Sequence, residues 1–265
     1  MNINDRNVVK RCDNYNGMTQ IELLAVIAVI SVLIAILIPV LGKVQKQSKL
    51  MVCRSNLRVI AQAWHMYLDD HKGRFLQRTN ANINYGGYKS LNPTHSKSER
   101  PLNPYLGLPL IVESEPAAEI FRCPCDNGGE RGPSTPFYTT KGTSYQTNPF
   151  LIGYPRACWL PSEQLMDQLN ALIPNVTMDI VDTPSLLLLI GDYGWNNCWQ
   201  PAIQRIGAWH SRKCDHNLAF LDGHVDYLWI RKGIYITDEY TVLPFNVLYK
   251  LAREVQVEEE CKPLN

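Results

Sequence analysis

The chain has 265 residues with 26 Lys and Arg against 25 Asp and Glu, enough for one large or two small domains at almost no net charge. That balance argues against a nucleic-acid partner held by general charge, so none is expected. Hydrophobic residues make up 45% and charged residues 19%, a folded rather than disordered composition, and a mean hydropathy of -0.19 argues against a polytopic membrane protein.

The average hides one concentrated anomaly near the N-terminus. Residues 23–41 read LLAVIAVISVLIAILIPVL, 19 positions interrupted by one polar side chain, Ser31, and one helix breaker, Pro39. At about 1.5 Å rise per residue such a helix would be roughly 28 Å long, close to the roughly 30 Å hydrocarbon core of a bilayer. A secretory signal has a shorter apolar region, about 7 to 15 residues, followed by a small-x-small cleavage site, which Ile38-Pro-Val-Leu-Gly42 matches poorly. The run therefore reads as a signal anchor. Flanking charges leave its orientation open, with Arg6, Lys10 and Arg11 against Asp5 and Asp13 before it and Lys43, Lys46, Lys49, Arg54 and Arg58 after it. Taken alone, the positive-inside rule would put the C-terminal part in the cytoplasm.

Immediately before the run, Gly17-Met18-Thr19-Gln20-Ile21-Glu22 sets a carboxylate at the mouth of an apolar helix. An acidic residue costs about 2.5 to 3.5 kcal/mol at a membrane helix centre and less near the interface, so Glu22 calls for a partner. Two readings are open. The carboxylate lies among headgroups, favoured by the positive end of its own helix, or an ammonium group is supplied from next door.

These residues resemble the processing signal of the type IV prepilin and type II secretion pseudopilin family. That signal is a short basic leader ending in Gly, then an aromatic residue or Met, Thr, an apolar pair, Glu and a spanning helix. The resemblance implies that a prepilin peptidase cuts after Gly17 and methylates the new amine of Met18. It implies that this amine neutralises Glu22 of a neighbouring subunit in a filament, removing an unpaired carboxylate from an apolar core. Met18 stands where Phe is commonest and Gln20 where Leu is usual. The resemblance also implies a single-pass protein of the bacterial inner membrane, leader inside, with the head in the periplasm or at the cell surface after assembly.

Helical patterning continues past Leu41, with Val44, Met51, Val52, Val59, Ile60, Ala63, Trp64 and Tyr67 spaced by three, four or seven and no Gly or Pro in residues 43–72. One helix is predicted from about Thr19 to Asp70, spanning a membrane over about 23–41, amphipathic thereafter, and kinked, if anywhere, at Pro39. The apolar stripe, Trp64 included, is expected to pack on the protein's own head. Residues 80–109 are rich in Asn, Gly, Ser and Pro and read as long loops. Residues 143–148 read as a short strand, 162–172 as a helix closed by Pro174, and 185–190 as a buried strand. Residues 217–230 form two runs joined by Asp222-Gly223, the signature of a two-residue antiparallel hairpin turn. Val225, Tyr227 and Trp229 should share one face, with His224, Asp226, Leu228 and Ile230 on the other. Residues 246–260 carry a final helix with an acidic end.

Several of these pieces resemble pseudopilin-like proteins with a terminal domain named for His, a spacer of nine and Asp-Gly. In order they are Cys53-Arg-Ser-Asn56-Leu57-Arg58, residues 67–75 with Gly73, Cys123-Pro124, Ser144-Tyr145-x-x-Asn148, Pro184-Ser185 before Gly191-Asp192, and Asp222-Gly223-His224. Here eleven residues rather than nine separate His210 from Asp222, an apparent two-residue insertion that weakens any transfer of a role to His210.

Asp192, His210, Asp222 and His224 include types that bind metals or exchange protons. No HExxH, GxSxG, phosphate-loop or Asp-x-Asp-x-Asp pattern accompanies them, so no catalytic residue, metal or cofactor is assigned. Asp222 and Gly223 read as a structural turn, His224 as the solvent side of a strand and His210 as a hydrogen-bonded loop residue. If Cys12 leaves with a leader, seven of the eight cysteines remain, an odd number that requires an unpaired thiol or an intermolecular bond. Cys123 and Cys125 are too close for an easy mutual bond, and an oxidising compartment would favour pairing among Cys158, Cys198, Cys214 and Cys261.

The resulting expectation is an α+β, pilin-like fold: leader 1–17, long helix 18–72 and a head at 73–265 in which that helix packs on an antiparallel sheet. As a structural subunit rather than an enzyme it would have prepilin peptidase and other pilin or pseudopilin subunits as partners. Two further readings stand beside it. One is an anchored binding module, with carbohydrate as its candidate ligand and Trp159, Trp195 and Trp199 as a stacking platform, and the other is an anchored hydrolase using the His and Asp groups.

Overall fold

A computed structural model of the protein describes residues 18–77, 81–89, 98–113, 115–128, 135–152, 162–196, 209–210 and 214–258. It combines helices with a four-stranded antiparallel sheet and divides into two compact units, residues 1–45 and 46–265. Helix α1, Gln20–Asp70, runs unbroken for 51 residues through Pro39 and crosses the boundary between them. It ends where Lys72 and Gly73 both turn left-handed, at φ 56° and 73°, and the Gly73 N–H donates to the Leu68 carbonyl at 2.7 Å.

In the first unit the described side chains of α1 are all exposed. Among the described residues α1 is the one helix long and apolar enough to cross a membrane.

The second unit packs on the C-terminal half of α1. Cys53, Asn56, Leu57, Ile60, Ala61, Trp64, Tyr67 and Leu68 are buried, a three-four spacing that keeps one stripe inward. Full burial starts at Cys53, so Val44, Met51 and Val52, expected on the inner stripe, are exposed instead, and Val59 is half-buried. Trp64 sits wholly inside, with ring centroids 5.7 Å from Tyr67, 6.2 Å from Phe75 and 6.0 Å from Tyr85.

Strands β1 (Tyr145–Thr147), β2 (Leu188–Asp192), β3 (Asp215–Phe220) and β4 (Val225–Trp229) lie in that order, each antiparallel to the next. The strand expected at 185–190 is displaced toward the C-terminus, because a turn that hydrogen-bonds the Leu186 and Leu187 N–H groups to the Thr183 carbonyl occupies its first residues. At Gly191 a Cβ would meet Leu218 Cδ2 at 2.4 Å and the Asn217 carbonyl at 3.0 Å. Glycine therefore lets β2 close on β3 just before Asp192.

The β3–β4 hairpin forms, but not through a two-residue turn. Ala219 pairs with Val225, the Gly223 N–H reaches the Phe220 carbonyl at 3.0 Å, and in this turn Gly223 takes positive φ (91°) while Asp222 does not. This is a three-residue loop with glycine in the left-handed position. The expected facial alternation on β4 is blurred: Val225 and Ile230 are buried, Asp226 and Trp229 exposed. Being last in the sheet, β4 is covered unevenly.

The loop-rich region contains a short helix α2 (Ala81–Asn84) and a 3-10 turn (Asn103–Leu106), with buried Arg100 accepting the Asn103 N–H on its carbonyl at 3.0 Å. Its Nη1 donates to the Ile83 carbonyl and its Nη2 to the Lys141 carbonyl at 3.1 Å. Helix α3 (Phe137–Lys141) is followed, after β1, by α4 (Glu163–Leu172), which begins where expected because the Ser162 hydroxyl accepts from the Leu165 N–H at 3.3 Å. The C-terminal helix is shorter than expected, a 3-10 turn (Asn246–Leu248) leading into α5 (Tyr249–Val255), after which Gln256 returns to extended backbone.

Candidate functional site

Two places concentrate polar chemistry, one in each unit. The first is the start of α1. Leu23 N–H donates to the Thr19 carbonyl at 3.1 Å, which places Thr19 at the N-cap. The Glu22 Oε2 accepts from the Thr19 N–H at 2.8 Å and the Thr19 hydroxyl at 3.0 Å, while the Glu22 N–H donates to Thr19 Oγ1 at 3.3 Å. This is a reciprocal capping box. The Thr-x-x-Glu spacing spells it in the sequence. Thr19 offers only neutral donors, so the box satisfies geometry and leaves the charge of Glu22 unpaired among the described residues. Met18 is exposed beside it, and Gly17 lies outside the described residues.

The second place is buried where α1, the Cys123 loop, the end of β2 and the segment before β3 converge. Cys53 and Cys123 form a disulfide with Cα atoms 5.2 Å apart. Next to it the His210 Nε2 lies 3.1 Å from Asp192 Oδ2 and 3.5 Å from Cys123 Sγ. Asp192 Oδ2 also accepts from the Asn217 N–H at 2.8 Å and from Asn217 Nδ2 at 3.1 Å, whereas Oδ1 is buried without a hydrogen-bond partner among the described residues. Tyr227 fixes the other side of the histidine by donating its hydroxyl to the His210 carbonyl at 2.9 Å. Burial alone would lower the His210 pKa, but the Asp192 carboxylate, aided by the Cys125 thiol hydrogen-bonded to the ring, outweighs it and holds the imidazole well above its usual value. His216, equally enclosed, is pushed down to about 4 by burial.

The polar residues of the Cys-x-x-Asn and Ser-Tyr-x-x-Asn pieces brace this region. Asn56 Nδ2 donates to the Arg122 carbonyl at 2.9 Å and to the Tyr145 hydroxyl at 3.3 Å. Asn148 Nδ2 donates to the carbonyls of Leu188 and Val242, each at 2.8 Å. Asp126 accepts from the Phe137 and Tyr138 N–H groups at 2.9 and 2.8 Å and from the Ser144 hydroxyl at 2.6 Å.

Of the four groups singled out for acid-base or metal chemistry, the structure joins Asp192 with His210 and, separately, Asp222 with His224, at opposite ends of β3. His210 is buried and ion-paired, beyond the hydrogen-bonded loop residue expected. Asp222 shapes the turn as expected, its Oδ1 accepting the His224 N–H at 3.1 Å, and His224 is exposed. Trp195 is fully buried and donates its indole N–H to the Gln146 carbonyl at 2.7 Å, which removes it from any stacking platform. Trp159 and Trp199 lie outside the described residues.

Sequence reading missed the Cys53–Cys123 bond, since partners 70 residues apart share no local pattern. Cys214 is also disulfide-bonded, Cys125 is a free, half-buried thiol, and Cys12, Cys158, Cys198 and Cys261 lie outside the described residues. Comparison of the chain with protein-family models, with curated proteins and with solved structures finds no match.

Proposed function

We propose that the protein is a pilin-like structural subunit, cleaved after Gly17, N-methylated on Met18 and assembled through α1 into a type II secretion or type IV pilus-like filament. Its partners are prepilin peptidase, sibling subunits and the bacterial inner membrane, and the head is turned outward. The observation that carries this reading is Glu22, an acid at the mouth of an exposed apolar helix whose own cap supplies it with neutral donors and no cation. A methylated amine from the adjacent subunit provides the missing charge and permits side-by-side packing of helices that are apolar from Leu23 to Leu41.

Glu22→Gln separates this role from helix capping, because glutamine closes a capping box as glutamate does but carries no charge. The variant should remain membrane-bound and fail to enter filaments, while Thr19→Ala, which removes the cap and keeps the charge, should still assemble. Filament incorporation of Glu22→Gln at the wild-type level would contradict the reading.

A further inference from the structure

The Cys53, Cys123, Asp192 and His210 side chains are all buried, and one donor atom from each lies within 4.8 Å of the other three. Two sulfurs, an imidazole nitrogen and a carboxylate oxygen are the donor set of a closed tetrahedral zinc site. Hard cations such as calcium and magnesium want all-oxygen shells and do not fit it.

The spacing can be checked against the ion. With zinc bonds of about 2.3 Å to sulfur and 2.0 to 2.2 Å to nitrogen and oxygen, tetrahedral edges are about 3.6 Å for S···N, 3.4 Å for N···O and 3.8 Å for S···S. The His210 Nε2 stands 3.5 Å from Cys123 Sγ and 3.1 Å from Asp192 Oδ2, so two edges are already near their required lengths. The sulfurs must part from bonding distance, and the remaining donor pairs lie within 4.8 Å of one another. A single imidazole nitrogen carries at most one hydrogen and cannot direct it fully at both neighbours, whereas the lone pair bared when that proton leaves can point at an ion between them. Asp192 adds an independent sign: its Oδ1 is buried with no hydrogen-bond partner among the described residues, an expense those residues do not otherwise explain. Asn217 meanwhile holds the carboxylate by two hydrogen bonds to Oδ2, as outer groups hold metal ligands in place.

The geometry points to a second state of this cluster, in which the reduced Cys53 and Cys123 thiolates, His210 Nε2 and Asp192 bind one Zn²⁺. Disulfide and zinc dithiolate use the same sulfurs and exclude each other. Passing from the first to the second takes two electrons and two protons from a dithiol reductant, which becomes a disulfide. Zinc then replaces the two thiol protons and the proton held on the His210 imidazole, all three leaving to water, as the two Zn–S bonds and the bonds to Nε2 and the Asp192 carboxylate form. A chain synthesised in a reducing compartment meets zinc in the dithiol state, and oxidation by a disulfide-bearing oxidant would expel the ion and close the bond.

The test is titration of the full chain in detergent, reduced with dithiothreitol and freed of it anaerobically, with Co²⁺ as the probe. One Co²⁺ per chain should produce tetrahedral d–d bands and a thiolate-to-cobalt charge-transfer band, both abolished by one equivalent of Zn²⁺ and absent from the oxidised chain. His210→Ala and Asp192→Asn should each weaken affinity by at least about tenfold. The Cys53→Ser, Cys123→Ser double variant should lose the charge-transfer band, while Cys125→Ser keeps it. Because the wild-type spectrum is itself a readout, a misfolded variant does not shield the proposal. Absence of the charge-transfer band in the reduced wild type overturns it, as does a band undiminished by the double variant or an affinity unchanged in both His210→Ala and Asp192→Asn.

Discussion

The imidazole of His210 faces the carboxylate of Asp192 across 3.1 Å in the interior of the head, directly against the Cys53–Cys123 disulfide. Removing either partner leaves the other's charge uncompensated inside the protein, which is why the pair is sensitive to pH.

In the oxidised chain His210 keeps its proton up to about 10, against an unfolded value near 6.5. A raised native pKa contributes stability that is complete below pH ~6.5 and is lost as pH rises through the native value. Thermal melts between pH 6.5 and 10 should therefore show a decline that is shallower in His210→Gln. Equal slopes in the two proteins would refute the pairing.

His216 works with the opposite sign. Its native pKa is lowered to about 4, so its neutral form contributes stability above pH ~6.5 that disappears as pH falls through that interval. Melts taken from pH 6.5 down to 4 should lose stability, and His216→Gln should flatten that limb. No change in slope would place the side chain in water.

The Cys53–Cys123 bond closes a loop of 70 residues in the unfolded chain. On the chain-entropy estimate a closure of that length stabilises by about 4 kcal/mol. The double variant Cys53→Ala, Cys123→Ala, compared with the oxidised wild type by denaturant unfolding, should be weaker by that order. A loss under about 1 kcal/mol would mean the bond does not form in the native chain.

Gly223 occupies the left-handed position of the hairpin loop at φ 91°, with His65 Nε2, 3.7 Å from an ideal Cβ, as its nearest neighbour there. Space is available, so Gly223→Ala should cost only backbone strain, about 1 kcal/mol, read by chemical denaturation. Asn148→Ala should cost more, about 1–3 kcal/mol for each carbonyl it strands at Leu188 and Val242.

Local pattern carried the sequence reading furthest where one rule dominated. Helix α1 follows from unbroken periodicity, α4 from Ser162 and a 3.6-residue apolar stripe, and the hairpin from its Asp-Gly. The details slipped where tertiary packing competes with local preference. Met51 and Val52 belong to the stripe by spacing, yet full burial begins one residue later, and two leucines expected in a strand, Leu186 and Leu187, are held by a turn from Thr183. Of the buried cluster, His210 and Asp192 stood out as residue types, but nothing in their spacing joins them to Cys53 or Cys123. Convergence of four distant segments is a property of the fold. Thr19 and Glu22 are the opposite case, a motif fully written in the sequence whose capping role was hidden behind its charge.

Processing at Gly17 is tested most directly by intact mass and N-terminal sequencing of the protein recovered from membranes of its native producer. The mature chain should begin at Met18 with one added methyl group on the amine. Recovery of the chain beginning at Met1, from cells whose peptidase processes a control prepilin, would contradict assembly as a pilin-like subunit.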